Sequence, residues 1–489
     1  MGVLSNLEPK SVFEYFETIC GIPHGSGNTG GIADYLVGFA REHGLDYYRD
    51  SANNVLITKP ASPGCESADT LILQAHTDMV CAKDQGIDKD FEKEGVTPVI
   101  DGEFLRADGT SLGGDDGISV AMILAILADD DIQRPKIEAL LTSDEETGMI
   151  GAFAFDCSKL TGHRLINLDS EAEGVLMCSC AGGASVYSRL PVEREDAELL
   201  LVELAVDGLT GGHSGVEIDK GRANANVLMS RLLSELAQVT PLRLVKLQGG
   251  KLENAIATSC SAVVGIEPQA AGALEKAAEN SAEAFKREYA SVESGLTVKE
   301  KRLGTEKAGA LTPECTARTV NFLAAIPDGV QAMSMDMPGL VQTSLNFGIV
   351  NLEEGQLCCS NSVRSSITSQ KLWVAGRLKA LAELAGGTAE VSGSYPGWAY
   401  NPNSVVKDLI LRAYQNLFGR EASVEAVHAG IECGLFADSV EGMDCVSIGP
   451  DMFDVHTPKE RFSIPSVKRT YELLLAVLAE GSGDSRASE

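Results

Sequence analysis

The chain has 489 residues, 44% of them hydrophobic, with 40 basic against 70 acidic side chains and a formal net charge of -30. That length exceeds what one compact core holds, so two domains are expected, and the charge repels phosphate backbones and anionic bilayers, which argues against nucleic acid and membranes as partners. No stretch offers the ~20 uninterrupted apolar residues of a membrane span, and the N-terminus lacks a basic segment followed by an apolar one, so the expected location is the cytoplasm.

In residues 1–180 strand-like and helix-like segments alternate. "NVLITK" and "TLILQAH" read as strands, "DGISVAMILAILADD" as a helix, and "KIEALLTSDEE" and "HRLINLDSE" as further strands. This rhythm predicts an α/β domain, a mixed central sheet flanked by helices. Residues 184–395 differ in character. They contain the apolar runs "LLLVELAVDGL" and "TVNFLAAI", read here as strands, and polar helices such as "LEKAAENSAEAFKREYA". The tail returns to the first style, with a helix at "SVVKDLILRAYQNLF", a loop at "VHAGIECGLFAD", a strand at "DCVSIGP" and "GSGDSRASE" as a disordered end. The expected organisation is one domain, 1–183 and 396–489, interrupted by an inserted α+β domain, 184–395. The twelve cysteines lack metal-site or disulfide-framework spacing and are expected to be reduced and mostly buried.

Polar residues recur where the first-style strands end. They are His76 and Asp78 in "LQAHTDMV", Asp115 and Asp116 in "SLGGDDGI", Asp144, Glu145 and Glu146 in "TSDEETGMIGA", Asp169 in "INLDSE", and His456 in "HTPKERF". A single acid in a turn is ordinarily solvated, but residues beyond the carboxyl ends of strands in such a sheet converge on one cleft. Several carboxylates there cannot all stay ionised without compensation, which a divalent cation supplies. Two imidazoles among carboxylates suit Zn²⁺, Mn²⁺ or Co²⁺ better than Ca²⁺, and the set is large enough for two ions if one carboxylate bridges.

These motifs, together with "IPHGSGN", "GLTGGHSGVEI" and "HAGIECGLF", cover nearly the whole chain, and in this order they resemble the M20 metallopeptidases, within them the PepD-type aminoacyl-histidine (Xaa-His) dipeptidases. The resemblance implies two divalent metals per chain, with His76 and Asp169 on one, Glu146 and His456 on the other, and Asp115 bridging. It implies that Asp78 orients the His76 imidazole, that the Asp115–Asp116 peptide is cis, and that Glu145 is the general base for a metal-bridging water. Glu145 and Glu146 are expected to diverge because neighbouring side chains on an extended segment do. The resemblance further implies an inserted lid, dimer-forming in many relatives, that brings His213 to the scissile carbonyl, Asn254 to the substrate and Arg364 to its carboxylate. Ala257 stands where proline is usual, and Glu253 where relatives often carry a base. His428 and Glu432 receive no role, and His24, His43 and His163 are expected to be structural or solvated.

Hydrolysis of unblocked dipeptides, including Xaa-His and β-alanyl-histidine, is the implied function. A related amidohydrolase of N-acyl amino acids or longer peptides shares every ligand. Aspartate at 169 favours the amino- and dipeptidases, since glutamate there accompanies carboxypeptidases and acylases. A non-catalytic metal-binding protein ordinarily loses the base or a ligand, and here none is missing.

Overall fold

The structure is a computed structural model that describes residues 2–483. The chain divides into two compact units: 1–179, 400–426 and 431–489 form the first, and 180–399 with 427–430 form the second. The crossings fall within a few residues of the sequence expectation. The return of Val427–Gly430 to the second unit does not, because nothing in a four-residue loop marks which core it packs against. Of the expected disordered end, Gly481 closes the last helix, Ile464–Gly481, and residues 484–489 lie outside the described residues.

The first unit is built on an eight-stranded mixed sheet. Its order is Asp46–Arg49, Val55–Lys59, Ile137–Thr142, Leu71–His76, Arg164–Asn167, Asp444–Ser447, Val175–Cys180 and Ser423–Val427. Leu71–His76 runs parallel to both neighbours, pairing His76 with Thr142 and Gln74 with Asn167. A strand bounded by parallel neighbours is covered on both faces, which is why all six of its residues are buried. The helix Gly114–Ala128 is buried along its length from Gly114 to Leu127, as its all-round apolar sequence demands. Phe16 and Ile19 of the helix Lys10–Cys20 pack against it at Gly117, where an added Cβ would sit 3.4 Å from the Phe16 ring. A smaller four-stranded sheet, in the order Met452–Phe453, Arg461–Ser463, Phe104–Ala107, Pro98–Asp101, carries the connection that contains His456.

The second unit is a large antiparallel sheet. Its order is Thr297–Leu311, Arg194–Asp207, Cys260–Ile266, Leu242–Gly249, Val341–Leu352, Gln356–Ser365, Gly182–Pro191 and Thr388–Tyr395, with Gly329–Met333 added beside Val341–Leu352. The helices Ala225–Val239, Ala271–Glu288, Pro313–Ala325 and Thr368–Leu384 contribute to its core.

One expectation fails here. "TVNFLAAI" belongs to the helix Pro313–Ala325, not to a strand. The Thr312 hydroxyl accepts the amide of Cys315 and Pro313 follows at the first helical position, a strong N-terminal signal. Burial of Cys315, Thr316, Thr319, Val320, Phe322 and Leu323 follows a helical period that the eight-residue window was too short to show. The expected loop "VHAGIECGLFAD" likewise contains a short helix, Cys433–Ser439. None of the twelve cysteines, all among the described residues, is in a disulfide; Cys81 is exposed, Cys157 and Cys358 are half-buried and the others are buried.

Candidate active site and metal centre

Parallel strands ending at the same level deliver the first unit's polar residues. His76 ends its strand, the turn 143–149 follows Thr142, and Asp169 lies two residues beyond Asn167. The Asp115–Asp116 peptide is cis, and both residues are non-helical in the first turn of their helix.

The side chains fall into two groups joined through one carboxylate. His76 Nε2 lies 3.2 Å from Asp115 Oδ1 and 3.5 Å from Asp169 Oδ1. His456 Nε2 lies 3.1 Å from Asp115 Oδ2 and 2.8 Å from Glu146 Oε1. Asp116 also sits close to His76 and Asp169, yet its Oδ2 accepts the main-chain amide of His76 at 3.2 Å, which turns it to the backbone instead of the ring.

Asp78 does more than the sequence suggests. His76 Nδ1 is 3.0 Å from the Asp78 main-chain carbonyl and 3.5 Å from its Oδ1. Besides this contact with the ring, the Asp78 carboxylate accepts the amides of Glu145 at 2.9 Å and Glu146 at 3.3 Å, with the Ser26 hydroxyl at 2.8 Å. The segment of Glu145 and Glu146 is therefore a turn and not extended, correcting the stated reason for their divergence. Asp144 enters it at φ 53° and accepts the amide of Gly27 at 2.6 Å.

The electrostatics show a site short of positive charge. Desolvation pushes the Glu145 carboxyl up to about 9, against the opposing charge of His76 and with help from Asp169, Glu432 and Glu146. Desolvation also raises Asp169 to about 6 and Asp116 well above the ordinary carboxyl range. Burial would raise Asp115 too, but hydrogen bonds and charge from His456 and His76 outweigh it and hold it low. The neighbouring Asp115 and Glu146 carboxylates push His456 up to about 10. Glu146 Oε1, buried, has no hydrogen bond of proper geometry despite its closeness to His456. Imidazole nitrogens and carboxylate oxygens crowd together here, with a buried Glu146 oxygen left unsatisfied, and such a set fits a divalent cation among them.

Sequence reasoning missed the supports of these groups. The Glu460 carboxylate accepts four consecutive amides, Leu112 at 2.7 Å, Gly113 at 3.1 Å, Gly114 at 2.7 Å and Asp115 at 3.2 Å, and so fixes the loop that presents Asp115. Gly113, at φ 70°, has the Met79 sulfur 2.8 Å from where a Cβ would stand, so the loop is closed to larger residues. Glu432 binds Gln74 and Thr142, and Gln74 binds Asn167. Gln74 and Asn167 each stand two residues before a proposed ligand in an apolar strand, and a polar residue in such a place was the available signal. His24 is buried with Nδ1 2.6 Å from the Ile22 carbonyl, whereas His43 and His163 are exposed.

In the second unit, pairing of His213 with Ala255 sets Asn254 beside His213, and the Asn254 carbonyl accepts the Ser214 amide at 2.9 Å. His213 Nδ1 accepts the amides of Gly215 at 3.2 Å and Val216 at 3.3 Å, so the neutral ring carries its proton on Nε2. That Nε2 lies 3.5 Å from Arg364 Nη2, two donors facing one another. Arg364 is buried, reaches the Tyr395 hydroxyl at 3.2 Å, and has no carboxylate partner among the described residues. His428 Nε2 lies 2.7 Å from the Ser344 hydroxyl. Burial first, then the charge of Arg364, pushes His428 down to about 4, and the same causes lower His213.

Comparison with known proteins agrees with this geometry. A family model for peptidase family M20/M25/M40 matches residues 72–480. The cytosol non-specific dipeptidase of Escherichia coli (strain K12) is 40% identical over 482 residues, covering 98% of this chain and 99% of that protein. The crystal structure of aminoacylhistidine dipeptidase from Vibrio alginolyticus superposes with a TM-score of 0.93 at 38% identity, covering 98% of each chain. Aminopeptidase PepT from Bacillus cereus, at 16% identity and a TM-score of 0.56 over 97% of this chain and 99% of that one, shares the fold. A match through both parts of the first unit and the whole of the second places the chain in peptidase family M20/M25/M40, as a metal-dependent hydrolase of peptide bonds.

Proposed function

We propose that the chain is a di-metal dipeptidase that hydrolyses unblocked dipeptides, Xaa-His and β-alanyl-histidine among them, in the cytoplasm. The observation that carries the reading is the pair of ligand groups joined through the two oxygens of Asp115, with Glu145 adjacent to one of the ligands. In this reading His76 and Asp169 hold one cation, Glu146 and His456 the other, and Asp115 both. Zn²⁺ fits this mixed nitrogen and oxygen set, as do Mn²⁺ and Co²⁺. Bound divalent ions supply Lewis acidity at the scissile carbonyl and lower the pKa of water toward neutrality.

Glu145 takes the proton of the attacking water and passes it to the leaving amine. Asp78 grips the amides of Glu145 and Glu146 and so fixes base and ligand with one side chain. In the second unit, His213 offers its Nε2 proton to the carbonyl oxygen as charge develops there. Arg364 takes the C-terminal carboxylate that its buried guanidinium lacks, and Asn254, beside His213, completes the substrate contacts. The names of the Escherichia coli and Vibrio alginolyticus relatives support dipeptides, aminoacyl-histidine and the cytosol in turn.

Metal analysis of the purified chain, then assay on a dipeptide panel with chelator and metal add-back, tests this. Two ions per chain and activity that chelation removes and metal restores are expected. Full activity with one ion overturns the bridge. Efficient cleavage of N-acetylated or C-amidated dipeptides moves the substrate class to N-acyl amino acids or longer peptides. The reading extends to a homodimer through the second unit, supported by the edge strand Thr388–Tyr395 and by Trp373, 68% exposed on the helix Thr368–Leu384. Light scattering on Trp373→Glu should then report a monomer where the parent is a dimer.

A further inference from the structure

Glu432 lies in "HAGIECGLF", which supplies no ligand in the proposed function. It immediately precedes the helix Cys433–Ser439, where a carboxylate would ordinarily cap the first amides, yet its side chain makes no capping bond. It turns instead into the first unit's interior and is completely buried. Oε2 accepts Gln74 Nε2 at 2.5 Å and the Thr142 hydroxyl at 2.9 Å, while Oε1 is buried with no partner. The network continues from Gln74 Oε1 to Asn167 Nδ2 at 2.7 Å, and Asn167 Oδ1 accepts the Asp169 amide at 3.3 Å. Gln74, Thr142 and Asn167 sit near the ends of the three adjacent parallel strands that lead to His76, to Glu145 and Glu146, and to Asp169. The donors to Glu432 are neutral side chains, and the nearby His76, a proposed ligand, must be neutral to bind metal. A buried charge is tolerated only with a counter-charge nearby.

We propose that Glu432 is a positioning residue of the metal centre. It ties the three ligand-bearing strand ends together through Gln74, Thr142 and Asn167, and the counter-charge for its buried carboxylate is the bound divalent cations. This rests on the di-metal reading above. Residues that hold ligands through such bonds set affinity as well as geometry, and losing one costs roughly 10–100-fold in metal affinity. Glu432→Gln preserves the shape and one acceptor oxygen but removes the charge. A merely structural carboxylate would destabilise the chain on replacement whether or not metal is present, whereas a charge awaiting its counter-ions is a burden on the metal-free protein.

The experiment compares thermal midpoints and Zn²⁺ and Mn²⁺ affinities of the full chain, as parent and as Glu432→Gln, after chelation and on metal titration. The expected result is a metal-free midpoint no lower than the parent's, a smaller metal-induced rise, and affinity weaker by roughly 10–100-fold. Unchanged affinity, or a metal-free midpoint several degrees lower, overturns the proposal. Should Glu432→Gln fail to fold, Thr142→Val, which removes one of the carboxylate's two donors at constant volume, should weaken metal affinity in the same direction by a smaller factor; unchanged affinity there also overturns it. If the parent gains nothing from either metal the di-metal reading falls too, whereas a gain equal in parent and variant defeats only the role of Glu432.

Discussion

The His76 cluster of the first unit and the Arg364 cluster of the second bury charge of opposite sign. In the first, Asp115, Asp116 and Glu432 are buried around His76, and burial pushes up the carboxyls of Glu145, Asp169 and Glu432 by more than the charge of His76 lowers them. In the second, Arg364 is buried beside His213 and His428, both imidazoles are pushed down, and no carboxylate answers the guanidinium among the described residues. Folding does not leave such imbalances to chance, since each costs stability until something supplies the missing sign. The carboxylate cluster of the first unit is fitted for cations, and the Arg364 cluster of the second for an anion or a developing oxyanion. A metallopeptidase acting on a substrate with a free carboxylate needs both.

The largest expected effect breaks the acid-rich side. Glu145→Gln should lower turnover by roughly 10²–10⁴ while metal content stays at the parent value, because a base is lost and no ligand. Glu146→Gln, one residue on, should instead lower metal content, as measured by elemental analysis. Equal metal loss in both variants would mean that the turn does not divide their roles.

In the Arg364 cluster, His213→Ala should lower kcat by roughly 10²–10³ with little change in KM and none in metal content, the pattern of a lost oxyanion donor. An unchanged kcat would return His213 to a turn residue. Arg364→Met should act on binding, raising KM by roughly 10–100-fold, the worth of charge-assisted hydrogen bonds of about 1.5–3 kcal/mol. The same substitution should matter far less for a C-amidated substrate.

The smallest effect concerns pH. His428 is held neutral, with its folded pKa near 4, below its ordinary 6.5. Protons therefore bind the unfolded chain first, so stability from this residue is present above pH 6.5 and is lost as pH falls toward 4. His428→Gln should be less stable than the parent near pH 8, having lost the Ser344 contact, and its deficit should narrow as pH falls through that window. Thermal midpoints at several pH values read this directly, and a constant deficit would mean that the imidazole does not titrate on unfolding.

Much of the catalytic unit is legible in the chain. An apolar strand ending in His76, an all-apolar helix after "SLGG", and acids recurring at strand ends are local patterns, and local patterns survive in sequence because period and burial impose them. The helix Pro313–Ala325 is also legible, in Thr312 and Pro313, a start signal stronger than the apolar run that follows it.

The type and order of the elements, and the identity of the groups that end them, are written locally in the chain. Backbone geometry and burial act residue by residue, and strand parity decides which side chains share a face. Which of those groups are held, and by what, is a matter of the assembled fold. Glu460 reaches the amides of residues 112–115, Glu432 reaches Gln74, and four residues from Val427 join the second unit while Glu432 belongs to the first. These are closures over hundreds of positions, 348 from Glu460 to Leu112 and 358 from Glu432 to Gln74. No local propensity encodes them, because the partner of a buried carboxylate is chosen by packing, and packing is settled only when the whole core forms.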